Sequence, residues 1–362
     1  MRDMTGAKPD EKADRSRIVI VTDAWRPQVN GVVRTLEMTA RELRQRGYEV
    51  TFITPEPFWS LPCPTYPEIR LSLATRYRVG QMIAAARPDY IHISTEGPLG
   101  LAARNYCVSN GLAFTTAFHT KFPQYVHARI RVPISWTYRF IRWFHRASET
   151  VMCATPSIAA ELAEEGMQHT QRWSRGVDVD LFRPDQHDPP EELDGLARPI
   201  LLYVGRVTVE KNIEDFLKIR TTGTKVVVGD GPQLAALRAK HPDAHFIGPR
   251  YGKDLAAFYA AADVFVFPSR TDTFGLVLLE ALASGTPVAA YPAPGPVDVI
   301  GAAPVGALNN DLERAVKDAL GISGKQCRDH ALNYTWSACT DQFLANLSPV
   351  ETAVRPALAV PA

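Results

Sequence analysis

The sequence predicts an α/β protein built as two Rossmann-like, doubly wound parallel-sheet domains that face each other across a cleft. Three observations carry that expectation. Short β-branched apolar runs recur along the chain, as strands buried on both faces require. Segments of helical length and period separate them, so the connections read as right-handed crossovers. The 362 residues are also divided by a proline- and acid-rich stretch, RPDQHDPPEELDGLARP, after which the alternation starts again.

Taken in order, RIVIVTD is the first strand, AWRPQVNG its loop, VVRTLEMTARELRQRG a helix ending at Gly47, and YEVTFITP the second strand. A helix over residues 76–86, strand DYIHIST, helix LGLAARNYCVSNG and strand LAFTTAFH follow. A basic aromatic helix then leads to strand ETVMCAT, helix SIAAELAEEG and strand HTQRWSRG. The second series runs from strand PILLYVGR through helix NIEDFLKIR, strand TKVVVGDG, helix PQLAALRAKH, strand AHFIGP and helix KDLAAFYAAA to strand DVFVFPS. Its next helix, from Phe274 to Leu282, has Thr271 or Thr273 as candidate cap and Gly285 as left-handed stop, and strand TPVAAY comes after it. These elements place domains at residues 17–184 and 198–333 with a linker at 185–197. Residues 1–16 and the Pro/Ala/Val-rich 349–362 read as disordered.

Composition narrows the class. Hydrophobic content of 46% and charge of 22% are those of a globular protein. Five scattered cysteines without a C-x-x-C pair suggest neither a disulfide framework nor a zinc site, and a reducing compartment is expected. The N-terminus lacks an apolar leader core and no run approaches the roughly 18 apolar residues that span a bilayer, so a cytoplasmic protein is expected. Net charge is +1, unevenly shared: residues 1–184 hold 24 Lys and Arg against 18 Asp and Glu, and residues 185–362 hold 16 against 21. Residues 121–146 concentrate the basic excess, with Lys121, Arg129, Arg131, Arg139, Arg142 and Arg146, no acid, and seven aromatics interleaved. Such a stretch is a membrane-surface patch, a nucleic-acid stripe, or a solvated helix face over a buried aromatic side.

Ligands of doubly wound sheets bind beyond the carboxyl ends of the strands, so the strand-end residues are the candidates. Arg206 and Lys211 follow PILLYVG and put a planar fork and a point charge where a diphosphate would be held. Gly31 and Gly275 sit at helix starts, where backbone N–H groups receive anions. Asp272 and Glu280 flank the second of these starts. In a continuous helix they would lie about 12 Å apart, too far for a glycosidase pair. They suit instead the two hydroxyl-rich ends of one ligand with a diphosphate between them, which is the form of a nucleotide sugar. His119, at the end of LAFTTAF, is a candidate hydrogen-bonding or acid–base residue. The D-x-D of Asp178 and Asp180 lies beside the linker and is not expected to bind metal, and Gly229-Asp230-Gly231 lacks the third glycine of a dinucleotide fingerprint.

Several motifs together resemble the retaining GT-B glycosyltransferases of family 4. SRTDTFGLVLLEALASGTPV resembles their E-x7-E signature, YVGRVTVEKN their phosphate clamp, VVVGDGP their glycine loop, RGVDVDLFRP their domain junction, and VTDAWRPQVNGVVRTL their N-terminal loop. The resemblance implies a nucleotide-sugar donor in the C-terminal domain, an acceptor in the N-terminal domain, retention at the anomeric carbon, and neither metal nor cofactor. It implies that Gly31, Arg206 and Lys211 contact the diphosphate, with Phe274 and Gly275 at the receiving helix start. His119 would lie beside the sugar, Asp272 would bind its hydroxyls and Glu280 the ribose. Asp272 stands where the family has glutamate, so donor choice is not carried over. TWSACTDQFL resembles the family's final helix, which places residues 334–348 back on the N-terminal domain.

The N-terminal loop and basic aromatic stretch are most similar to members that glycosylate lipids, such as diacylglycerol glycosyltransferases and phosphatidylinositol mannosyltransferases. The expectation is a hexosyltransferase making a membrane glycolipid, peripheral on the inner face of the cytoplasmic membrane, with no nucleic-acid partner. A soluble or polysaccharide acceptor, and a non-catalytic sugar-nucleotide-binding protein of the same fold, are the alternatives.

Overall fold

The computed structural model describes residues 16–26, 31–63, 66–119, 133–185 and 188–350. In the first half, β1 (Arg17–Val21) and β2 (Glu49–Ile53) are followed by the antiparallel hairpin of β3 (Ser60–Cys63) and β4 (Tyr66–Ser72), then β5 (Tyr90–Ile93), β6 (Thr115–Phe118), β7 (Thr150–Cys153) and β8 (Thr170–Arg172). Apart from the hairpin these form one parallel sheet in the order β2-β1-β5-β6-β7-β8. The second half repeats the scheme with β9 (Ile200–Val204), β10 (Thr224–Val228), β11 (His245–Gly248), β12 (Val264–Phe267), β13 (Val288–Ala290) and β14 (Gly306–Leu308) in the order β11-β10-β9-β12-β13-β14, again all parallel. Strand order reverses between β1 and β5 and between β9 and β12, where ligand crevices form.

The apolar runs behave as expected of strands covered on both faces. In β1, Val19 and Val21 enter a core with Ile83 and Leu99, and Ile18 and Ile20 enter another with Leu36, Leu43, Trp336 and Phe343. In β9, Leu202 and Val204 face one core, and Leu201 and Tyr203 the opposite one. The second of the β1 cores needs the last helix, Trp336–Ala345, which lies on the first domain. Arg46 Nη1 approaches Asp341 Oδ1 at 2.5 Å there, and the Ser174 N–H donates to Gln342 Oε1 at 2.7 Å.

Three expectations change. The helix after β12 begins at Leu276, with Gly275 at its start and no side-chain cap, because the Thr273 hydroxyl donates across the cleft to the His119 carbonyl at 2.8 Å and Thr271 donates to the Glu210 carbonyl. The aromatics of the basic helix, Ile134–His145, do not act as one set: Tyr138, Ile141 and Phe144 are core, whereas Trp136 is 71% exposed and Trp143 38%. Arg142 is paired with Glu165 at 2.9 Å. Elements between the last expected strand and the last helix also appear, among them Pro294–Ile300, Leu312–Ala319 and Gly324–Ala331. The prolines that mask Pro294–Ile300 in the sequence occupy its first turn, where no N–H is needed. Residues 1–15, 120–132 and 351–362, including Lys121, Arg129 and Arg131, lie outside the described residues.

Candidate functional site

Two loops converge at the reversal between β9 and β12. The first leaves β9 at Gly205, whose carbonyl oxygen would lie 1.9 Å from a Cβ on Gly229. Only glycine, here at φ 144°, lets the end of β10 pass so closely. The Val207 N–H donates to the Asp230 carbonyl at 2.9 Å and the Tyr203 hydroxyl to the Arg206 carbonyl at 2.7 Å. So braced, the loop holds Arg206 outward and exposed, then enters a 3-10 turn, Val209–Lys211.

The second loop brings Asp272 to that turn. Lys211 Nζ lies 2.5 Å from Asp272 Oδ1, and Asp272 Oδ2 is buried without a hydrogen-bond partner. Phe274 is buried behind it, and Gly275 at φ 84° swings the chain into Leu276–Ala283. With no side-chain cap, the first-turn N–H groups are left for another partner, three residues after the Asp272 that pairs with Lys211.

Glu280 is one turn further and almost wholly buried, its side chain 6% exposed. Burial raises its pKa above the ordinary carboxylate value, and the Arg34 guanidinium and a hydrogen bond from Tyr259 pull the other way. Oε1 is 3.0 Å from Arg34 Nη1 and Oε2 accepts from the Tyr259 hydroxyl at 3.1 Å. Arg34 belongs to Gly31–Gln45, the first helix of the opposite domain, so this ion pair crosses the cleft. Gly31, which opens that helix, lies against Leu276, whose Cδ1 would be 3.6 Å from an added Cβ. The two helix starts therefore face each other.

His119 is at the end of β6, beside Ser94 at the end of β5. Arg175 Nη2 donates to its Nδ1 at 2.9 Å, so the ring proton is on Nε2, which is 2.8 Å from Ser94 Oγ. The ring is buried edge-on to Trp173, and burial, followed by the Arg175 charge, lowers its pKa well below the usual histidine range. With both ring nitrogens committed inward, the carbonyl is the group His119 turns to the other domain, where Thr273 holds it.

The contacts link the predicted residues other than Arg206, which is tied to them through its loop. Arg206 shares a loop with Lys211, Lys211 pairs with Asp272, Phe274 and Gly275 lead to Glu280, Gly31 packs on Leu276, and His119 meets Thr273. Arg34, Tyr259, Arg175, Ser94 and Thr273 are additions. A basic residue one turn after a glycine at a ligand-facing helix start was the available signal for Arg34. Asp178 is spent locally: its Oδ1 accepts from the N–H groups of Asp180 and Leu181 at 3.2 and 3.0 Å.

Comparison with known proteins agrees with this layout. The family model described as Glycosyltransferase Family 4 matches residues 29–181, and that of Glycosyl transferases group 1 matches residues 198–321. A GDP-mannose-dependent alpha-mannosyltransferase of Mycobacterium tuberculosis is 28% identical, covering 92% of this chain and 97% of its own. A sulfoquinovosyl transferase of Arabidopsis thaliana is 31% identical over 87% of this chain and 70% of its own. An alpha-monoglucosyldiacylglycerol synthase of Streptococcus pneumoniae is 28% identical over 88% and 81%. Among solved structures, the sucrose-phosphate synthase of Thermosynechococcus elongatus superposes with a TM-score of 0.71 at 20% identity, covering 91% of this chain and 98% of that one, a likeness of fold.

Proposed function

The chain belongs to glycosyltransferase family 4, and from that premise we propose that it moves a hexose from a nucleoside-diphosphate sugar to a hydroxyl of a membrane glycerolipid, with retention at the anomeric carbon and without metal or cofactor. One observation carries the reading: Lys211 meets Asp272 beside an uncapped helix start at the strand-order reversal of one domain, on the loop that also carries Arg206, and that start packs on Gly31 at a helix start of the other.

The chemistry asked of such a site is stabilisation of charge on a departing diphosphate, for which preorganised cations and backbone N–H groups are the strongest device. Arg206, Lys211 and the turn from Phe274 to Gly275 supply them. Asp272 Oδ2, buried and unpartnered, is placed to take a sugar hydroxyl once Lys211 turns to phosphate. Glu280, held from both sides by Arg34 and Tyr259, takes the ribose. His119 positions rather than transfers a proton, since its nitrogens are engaged and its pKa is depressed. The acceptor proton goes to the leaving phosphate, which keeps entry and departure on one face and so favours retention. Two side-chain cations serve where other enzymes use a divalent ion, and Asp178 is committed to its turn.

The lipid acceptor rests on two supports. A relative is named as a monoglucosyldiacylglycerol synthase. Trp136, Arg139, Trp143 and Arg146 are exposed at spacings that place them along one side of Ile134–His145 and its C-terminal end, suiting an anionic interface. No helix among the described residues is long and apolar enough to cross a membrane, so contact would be peripheral, at the cytoplasmic face. The test is incubation with a panel of nucleotide sugars and membrane lipid extract. A glycolipid of added hexose mass, with the donor's anomeric configuration by NMR and with chelator present, is expected. Transfer only to a soluble acceptor would refute the lipid assignment, and donor binding without nucleotide release would refute catalysis.

A further inference from the structure

The two segments that join the domains pass each other closely. The Val177 N–H donates to the Tyr334 carbonyl at 2.9 Å, Val177 and Thr335 form a parallel bridge, and a Cβ on Gly176 would meet the Trp336 nitrogen at 2.5 Å. Beside this crossing is a cavity of about 300 Å³, lined from the first segment by Arg172, Ser174 and Arg175 and from the second by residues including His330, Thr335 and Gln342. No aspartate or glutamate lines it among the described residues.

Its charge is uncompensated. Arg175 is only 6% exposed, yet its guanidinium donates to the carbonyls of Trp173 and Ser174 and to His119, over the Trp173 ring, and meets no carboxylate among the described residues. Burial lowers its pKa only to about 10, so it stays cationic at neutral pH. Buried guanidinium groups are ordinarily paired with an anion. Two further features point the same way. Ser174, a wall residue, has a buried hydroxyl without a partner, and Thr335, another wall residue, opens the helix Trp336–Ala345, whose N-terminal end favours negative charge beyond the one N–H, of Ala338, that Thr335 itself caps. At roughly 30 Å³ per water, the volume exceeds a bare oxyanion and leaves room for a small polyol attached to it.

We infer that this cavity binds a phosphate ester, with Arg172, Arg175, Ser174 and the start of the last helix as its receptors. A ligand touching both joining segments favours the domain arrangement that brings them together, and Arg175 extends that effect to His119 and through its carbonyl to Thr273. The same chemistry has two sources: the head-group phosphate of a lipid acceptor, or a free phosphorylated metabolite.

The binding test does not depend on the proposed reaction. Glycerol 3-phosphate, titrated calorimetrically into the full chain at constant ionic strength, is expected to bind with one equivalent both to wild type and to Lys211→Ala, which lacks the donor clamp. Arg172→Ser should weaken binding about tenfold. Gln342→Glu keeps the acceptor for the Ser174 N–H but adds a negative charge to the wall, and should abolish binding. No binding by wild type, or loss in Lys211→Ala with retention in Arg172→Ser and Gln342→Glu, overturns the site. In transfer assays, inhibition competitive with the lipid identifies the head-group phosphate, and an altered donor KM at saturating lipid identifies a separate effector. Binding that changes neither constant overturns the coupling to domain arrangement.

Discussion

The two strand-order reversals are built alike and charged oppositely. Two residues beyond β1 stands Asp23, and two residues beyond β9 stands Arg206. The next strand across each reversal feeds a helix: Pro98–Asn110 after β5 and Leu276–Ala283 after β12. Asp23 is buried and accepts from the N–H groups of Leu99 and Gly100 at 2.8 and 3.1 Å and from Thr95 Oγ1 at 2.8 Å. Burial pushes its pKa up while those bonds hold it down. One helix start is therefore filled by the chain's own carboxylate, and its counterpart has no side-chain cap and follows a loop in which Lys211 pairs with Asp272. A repeated topology thus leaves one helix start without a carboxylate cap, and the proposed diphosphate site is the one that lacks it.

The largest effect should come from removing the cations of the second reversal. Arg206→Ala and Lys211→Ala are each expected to lower kcat at least about a hundredfold, equivalent to about 2.7 kcal/mol of barrier, with the thermal midpoint unchanged. Near-normal turnover in the double variant would break the assignment. Asp23→Ala should do the reverse: stability falls by about 2 kcal/mol through the lost cap, and donor KM stays as in wild type. A donor KM that rises with it would erase the contrast between the domains.

A third effect concerns pH. His119 has a folded pKa far below its unfolded value near 6.5, so the stability it contributes is complete above that pH and lost as pH falls toward the folded value. Below pH 6.5 it should add about 1.4 kcal/mol per pH unit to the slope of stability against pH, and His119→Asn should flatten the slope by that amount. An unchanged slope would place the imidazole in solvent contact. The smallest effect is the coupling across the cleft. Arg34→Ala should cost about 1 kcal/mol more in wild type than in Glu280→Gln, discounted for an arginine side chain 40% exposed. Additivity in that cycle would show that Arg34 contributes nothing through Glu280.

What the sequence disclosed follows the same division. Strands such as RIVIV and VFVF are covered on both faces and announce themselves by composition alone. Arg206, Lys211 and Asp272 sit in loops whose shape is dictated locally by glycine and by tight turns, so their spacing alone made them candidates. Arg34 and Glu280 are 246 positions apart, and their pairing exists only because two domains dock. Thr273 was a reasonable local cap, and a carbonyl from the other domain outcompeted the role. Likewise, composition alone merges the aromatics at 136–144 into one set, and only the helical period separates Tyr138 and Phe144, which are buried, from Trp136 and Trp143, which are exposed.

The last helix has a consequence for how the chain is made. Trp336, Cys339 and Phe343 complete a core otherwise formed by Ile18, Ile20, Leu36, Ala40, Leu43 and Trp173, and Val350 bonds to Asp89 and Ala113 beyond it. During synthesis the first domain emerges with that apolar face uncovered, and its cover begins 164 residues after the end of β8. The nascent protein must therefore carry a half-built domain through the whole translation of the other, exposed to chaperones and to its neighbours on the polysome. Removing Trp336–Ala345 would damage the first domain rather than the one that precedes the helix in the chain.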